Sequence, residues 1–369
     1  MTQRVVDLLL ELVQIDSASL RERAMANALT AKLAELGFEV YEDKAGEAVR
    51  GSAGNLLARL PGTGGKAGHD PVLFSAHMDR VSNGLGIKPV VRDGVVYSDG
   101  TTILGSDDAA GLAAILEGVR AAKETGLDRP PIEVAFTICE ESGLLGSQNL
   151  EYGWLKAKQA YIMDSGGPVG TVIVQGPYQS RVTAVVLGKS AHAGVAPESG
   201  VNAIQAAAVA LSRMRLGRID AQTTANVGVI QGGTATNIVP DRVEVRGEAR
   251  SLDGSTLRVQ VQHMVSTFEQ AAQEFGARAE VEVAEMYPGF HLPESAPLVQ
   301  RALKAIRALA LEPQTHATGG GSDANIFNGH GIPAVTLGLG YESIHSNAEH
   351  IPINQLVLAA QLVTQLIIG

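Results

Sequence analysis

Positive charge is scarce in this 369-residue sequence: 29 Lys and Arg stand against 39 Asp and Glu, a formal net charge of −10. No basic run is present to neutralise a phosphate backbone, so a nucleic-acid partner is not expected. Cysteine is nearly absent; the single thiol, Cys139, excludes an intrachain disulfide and fits a reducing compartment. Long hydrophobic runs are also missing. The most apolar stretches fall short of the roughly 20 residues a membrane span needs. The opening MTQRVVDLLLEL carries Arg4, Asp7 and Glu11 at helical spacing, which interrupts any signal-peptide core. These absences point to a soluble cytoplasmic protein with no membrane partner, and the length leaves room for about two domains.

What the sequence does contain is organised. Residues 20–36, LRERAMANALTAKLAEL, have helical periodicity and stop at Gly37. The segments NLLARL, PVLFSAHM, IEVAFTIC, AYIM and TVIV are short and apolar, separated by helical or Gly-rich stretches, as buried strands of an α/β sheet are. A mixed, largely parallel sheet flanked by helices is expected. AAGLAAILEGVRAAKE reads as a helix lying close on that sheet, with Gly111 and Gly118 permitting the approach. From residue 178 the texture changes. SRVTAVVL, GVNAIQAAAVALSRM, NVGVIQGG, RVEVRGEARS, STLRVQVQHMVSTFEQAAQEFG and RAEVEV give the order βαββαβ, the ferredoxin-like pattern. After residue 288 the first style returns. The expectation is therefore one α/β domain, 1–177 and 289–369, interrupted by a smaller domain at 178–288.

Polar clusters recur at the ends of the predicted sheet strands, where open α/β sheets place their sites. They are His77 and Asp79 in FSAHMDR, Asp107 and Asp108 in ILGSDDAAG, Glu140 and Glu141 in TICEESG, Asp164 in YIMDSGG, and His345 in YESIHSNAEH. Singly, each has a plain structural explanation: a satisfied strand-end histidine, a helix cap, or a turn-forming aspartate. Together they crowd carboxylates at one sheet edge, which is costly unless a cation or proton compensates. Two histidines and three carboxylates can hold two divalent ions if one carboxylate bridges. Zinc accepts both donor types, and a further carboxylate could then take a proton from water. The Glu140–Glu141 pair can supply one ligand and one base, and composition and spacing do not say which is which.

These motifs carry a resemblance. The ordered set SAHMDRV, GVVYSDGTTILGSDDAAGLAAI, TICEESGLLGS, MDSGGPVG, GKSAHAG, GGTATNIVP, GGGSDANIF and HSNAEHIPI resembles the dinuclear zinc exopeptidase family of peptidase T, carboxypeptidase G and aminoacylase, closest to the peptidase T-like branch. The resemblance implies that His77, Asp107 and Asp164 bind one metal and Asp107, Glu141 and His345 the other. The ions are expected to be zinc, with cobalt or manganese as alternatives. It implies that Glu140 is the general base and acid, that Asp79 orients the His77 ring, and that the Asp107–Asp108 peptide is cis. The inserted domain corresponds to the family's lid and dimerisation surface, implying a homodimer. There His192 resembles an oxyanion-stabilising histidine that reaches a partner's site, and Asn237 and Arg250 match substrate-binding positions. Gly319–Gly321 match a loop along which substrate backbone passes. Ala109 stands where many family members have lysine.

The implied activity is hydrolysis of short peptides, as a tripeptide-type aminopeptidase, because aspartate at position 164 accompanies aminopeptidases and dipeptidases in the family. The alternative is an N-acyl amino acid amidohydrolase or a carboxypeptidase on the same dinuclear site. PGTGGKA lacks the spacing of a phosphate-binding loop, and Ser17 and Ser19 lack a catalytic triad.

Overall fold

The computed structural model describes residues 1–369. They form two compact units: Met1–Gln175 with His291–Thr318 and Ser322–Gly369, and Gly176–Phe290 with Gly319–Gly321.

The first unit is built on a mixed sheet whose centre is parallel. Ile132–Thr137, Val72–His77, Ala160–Ser165 and Ala334–Gly338 lie side by side in that order, each parallel to its neighbour. Leu56–Leu60 and Glu39–Glu42 extend one side antiparallel, and Thr171–Gly176 pairs antiparallel with Ala334–Gly338 on the other. Every residue of Val72–His77 and Ile132–Thr137 is buried, as strands covered on both faces must be, which is why these runs are mainly apolar on both faces rather than alternating.

Helix Ser106–Glu124 packs on this sheet and against the helices Thr2–Val13 and Ile353–Ile368. The two glycines matter here. A Cβ at Gly111 would stand 2.2 Å from the Met163 carbonyl oxygen on the strand below, and one at Gly118 would stand 2.6 Å from Val363 Cβ on the closing helix. Both contacts lie inside van der Waals limits, so only glycine lets the helix approach both neighbours.

Two details depart from the sequence expectation. The strand expected over 132–139 ends at Thr137, because Cys139 takes a left-handed φ of 51° that turns the chain out of the extended path. A small antiparallel sheet, Pro89–Arg92 with Val95–Ser98 and His350–Pro352, was not expected at all. Its strands are three or four residues long, too short for a periodic signal.

In the second unit the order is Tyr178–Leu187, helix Ala203–Arg213, Thr223–Gly232, Arg242–Ser251, helix Gly254–Glu274 and Arg278–Tyr287. Thr223–Gly232, Arg242–Ser251, Tyr178–Leu187 and Arg278–Tyr287 are neighbours in that order, all antiparallel. This is the ferredoxin-like arrangement. Val182, Ala184 and Val186 point alternately inward from the first strand and join Ala206, Ala207, Ala210, Met264 and Phe268 from the helices in a separate core. Each helix starts at a side-chain cap: Asn202 accepts from Gln205 N and Asp253 from Thr256 N. Gly321 belongs to this unit because a Cβ there would fall 2.3 Å from the Tyr287 ring.

Candidate dinuclear metal centre

The four parallel strands of the first unit all deliver their C-terminal ends to one edge. His77 is the last residue of its strand, Asp164 lies at the end of another, Glu140 and Glu141 follow Thr137, and His345 lies beyond Gly338. Asp107 arrives from the start of helix Ser106–Glu124, where Asp107 and Asp108 have non-helical dihedrals and are joined by a cis peptide.

Two overlapping groups result. Donor atoms of His77, Asp107 and Asp164 lie within 4.8 Å of one another, as do those of Asp107, Glu141 and His345. Asp107 presents one oxygen to each: Oδ1 lies 3.2 Å from His77 Nε2 and Oδ2 lies 3.4 Å from His345 Nε2. Asp164 Oδ1 is 3.9 Å from His77 Nε2, and Glu141 Oε1 is 2.8 Å from His345 Nε2. The bond that fixes Glu140 is made by its backbone, leaving its carboxylate free beside these groups.

The electrostatics are unbalanced without further positive charge. Burial, followed by the charge of Asp164, pushes the carboxyls of Glu140 and Asp108 well above the usual range. Asp164 is raised by burial and by Asp107. Burial alone would also raise Asp107, but its contacts with His345 and His77 hold it low. His345 is pushed up to about 10 by Asp107 and Glu141. His77 is raised despite burial, by Asp107 and Asp79. Buried acids crowded against two imidazoles form a donor set whose charge a cation would offset. Nitrogen and oxygen donors in two such triangles fit divalent ions that accept both.

Asp79 lies against the His77 ring with both its main chain and its side chain. The oxygen nearest His77 Nδ1 is the Asp79 main-chain carbonyl at 2.9 Å, with its Oδ1 at 3.5 Å. The carboxylate accepts from Glu140 N at 2.8 Å, Glu141 N at 3.2 Å and the Ser19 hydroxyl at 2.6 Å. Asp79 thus clamps the paired glutamates to the end of the His77 strand. Ser19, which offers no triad, is part of that clamp.

Several other residues here escaped sequence reasoning. Glu349 is buried and accepts from Gly105 N, the Ser106 hydroxyl and Asp107 N, at 2.9, 2.6 and 3.1 Å. Tyr341, 2% exposed, places its hydroxyl 3.1 Å from Asp164 Oδ1 and 3.4 Å from Asp107 Oδ1. Asp108, next to Asp107 in sequence, accepts from His77 N and Gly111 N, both at 3.1 Å. Cys139 is buried and its thiol is raised by burial and by Glu22, so it is no nucleophile.

The remaining predicted residues belong to the second unit. His192 and Asn237 are exposed on adjacent loops joined by Ala193 N to the Asn237 carbonyl at 2.9 Å. Arg250 is already held in a two-pronged pair with Glu248, at 2.8 and 3.2 Å.

Residues 73–369 match Peptidase family M20/M25/M40. The chain belongs to this peptidase family. Within it, aminopeptidase PepT from Bacillus cereus ATCC 10987 is 46% identical, with 100% of this chain and 98% of that one covered and a TM-score of 0.90. A tripeptidase from Staphylococcus aureus subsp. aureus Mu50 is 44% identical over the same shares, with a TM-score of 0.94. Carboxypeptidase G2 from Pseudomonas sp. strain RS-16 is 29% identical over 370 residues, covering 93% of this chain and 84% of its own.

Proposed function

We propose that this member of the M20/M25/M40 family is a metal-dependent aminopeptidase that removes the first residue of short peptides, tripeptides above all. The observation that carries the reading is the pair of donor triangles sharing Asp107, with the unengaged Glu140 carboxylate beside them. Its tripeptide preference is supported by the two solved relatives, an aminopeptidase and a tripeptidase.

In this reading His77, Asp107 and Asp164 hold one divalent ion and Asp107, Glu141 and His345 the other, zinc being the first choice and cobalt or manganese the alternatives. When bound, the two ions supply Lewis acidity to the scissile carbonyl and to the attacking water. Glu140 receives the water's proton and passes it to the leaving amine. Asp79 keeps Glu140 and Glu141 at fixed positions through their backbone N–H groups and backs the His77 ring. Glu349 holds the backbone that presents Asp107.

Residues 178–288 act as a lid and as the surface of a homodimer, from which His192 donates to the developing oxyanion. Asn237 and Arg250 bind the substrate. Because Arg250 is paired with Glu248, a substrate carboxylate must share or displace that partner. The protein works in the cytoplasm, in keeping with its single thiol; no helix is long and apolar enough to cross a membrane.

Carboxypeptidase G2 among the relatives favours a second reading, hydrolysis of an N-acyl amino acid or a C-terminal residue on the same site. The deciding assay offers metal-replete protein free tripeptides, N-blocked tripeptides, dipeptides and N-acyl amino acids, with and without a chelator. Free tripeptides should be cut at the first bond and the chelator should stop it. Preference for blocked or N-acyl substrates would replace the aminopeptidase with the second reading, and turnover of none would end both.

A further inference from the structure

Carboxylates at the metal-binding edge are tethered unequally. Asp79 accepts from three donors, Ser19, Glu140 N and Glu141 N. Asp108 accepts from two backbone N–H groups, and Asp323 from the hydroxyls of Thr137 and Ser147, both at 2.5 Å. Asp164 differs. Its side chain is bonded to the Tyr341 hydroxyl at 3.1 Å, and its other close polar neighbour, His77 Nε2, stands at 3.9 Å.

The phenol is well placed for this contact. Leu339 N donates to the Ser165 carbonyl at 2.9 Å and Gly340 N to the Gly167 carbonyl at 2.7 Å, so the segment leading into Tyr341 is fastened to the end of the strand that carries Asp164. The ring is buried, and a Cβ at Gly166 would lie 3.8 Å from it. Its hydroxyl faces Asp164 Oδ1 and Asp107 Oδ1, the same two oxygens that approach His77 Nε2. A phenol has one proton to donate, and the shorter distance directs it to Asp164.

We propose that Tyr341 is a positioning residue of the centre: its hydroxyl holds Asp164 in the orientation in which Asp164, His77 and Asp107 serve one cation. This rests on the metal assignment proposed above. A hydrogen bond to a ligating carboxylate fixes which oxygen faces the ion and how strongly that oxygen donates. Because Tyr341 lies four residues before His345 in the chain, one segment contributes to both metal positions.

Tyr341→Phe removes one oxygen and leaves the ring in place. Metal-free wild-type and Y341F proteins, with folding checked by circular dichroism, are titrated with Zn2+ against a chromophoric chelator, and their Co2+ forms are compared by visible absorption. One of the two equivalents should bind roughly 10- to 100-fold more weakly in Y341F, with the other weakened far less and one cobalt band shifted. At saturating metal, kcat should fall while KM stays constant. In a D164A background, adding Y341F should cost no further affinity, since the tyrosine acts through Asp164.

Wild-type affinity for both equivalents, equal weakening of both, or an undiminished further loss in D164A would overturn the proposal. The metal titrations need no substrate, so a wrong peptide assignment leaves them readable. Wild-type protein that binds no Zn2+ would remove the metal assignment and this inference together.

Discussion

In the smaller unit Arg213 meets Glu274 at 2.6 Å, Arg278 meets Glu280 at 2.7 Å and Arg242 meets Glu244 at 3.0 Å, all on water-exposed surface. At the edge of the larger sheet Asp107, Asp108, Glu140, Glu141 and Asp164 converge with only His77 and His345 to offset them. The first arrangement is electrically complete, and solvent screens what little each pair contributes. The second is largely buried, although His345 is 45% exposed, and its acids lean on two imidazoles and on backbone N–H groups. The same residue types therefore mean surface in one unit and chemistry in the other. What separates them is burial with acids outnumbering the bases that face them.

The contrast can be broken experimentally. The largest effect is expected from Glu140→Gln, which should cut turnover by about 10²–10⁴-fold while both metal equivalents remain, measured by steady-state assay beside elemental analysis. Asp107→Ala should lose both equivalents, whereas Glu141→Gln should weaken one far more than the other; equal losses from Glu140→Gln and Glu141→Gln would show that the pair is wrongly assigned.

Smaller effects probe the scaffold. Glu349→Ala leaves the buried N–H groups of Gly105 and Asp107 without their acceptor and should destabilise the first unit by on the order of 3 kcal/mol, read by urea unfolding. Gly111→Ala drives a methyl against the Met163 carbonyl and should cost about 1–3 kcal/mol. At the far end of the scale, Arg213→Ala should leave the unfolding midpoint where it was. A clear drop there would mean that the exposed pairs are not as dispensable as the contrast holds.

Much of this was legible in the sequence because it depends on pattern. The apolar runs marked the parallel strands, and Gly111 marked a helix pressed on the sheet, whereas Gly118, expected to serve the same approach, faces the closing helix instead. The βαββαβ order of the second unit followed from alternation in segments such as 178–187. The acids and histidines at strand ends announced a cation through their crowding.

What stayed hidden depends on single contacts. No period or motif marks Tyr341 as the neighbour of Asp164, or Ser19 as a donor to Asp79, 60 positions further along the chain. Glu349 shares a short segment with His345, and its bonds run to residues far off in the chain. The turn at Cys139 was masked by an apolar sequence that reads as continuing strand, although its φ of 51° ends the strand.

Asp107 turns one oxygen toward His77 and the other toward His345. If it serves both ions as proposed, neither affinity is a property of one site alone. An ion entering beside His77 restrains the carboxylate that the ion beside His345 must share, so occupancy of either position changes the free energy of filling the other, by the same amount in both directions. Loading then follows two stoichiometric constants that belong to the pair, and a protein given one equivalent of metal holds a distribution of singly filled forms rather than a defined half-enzyme.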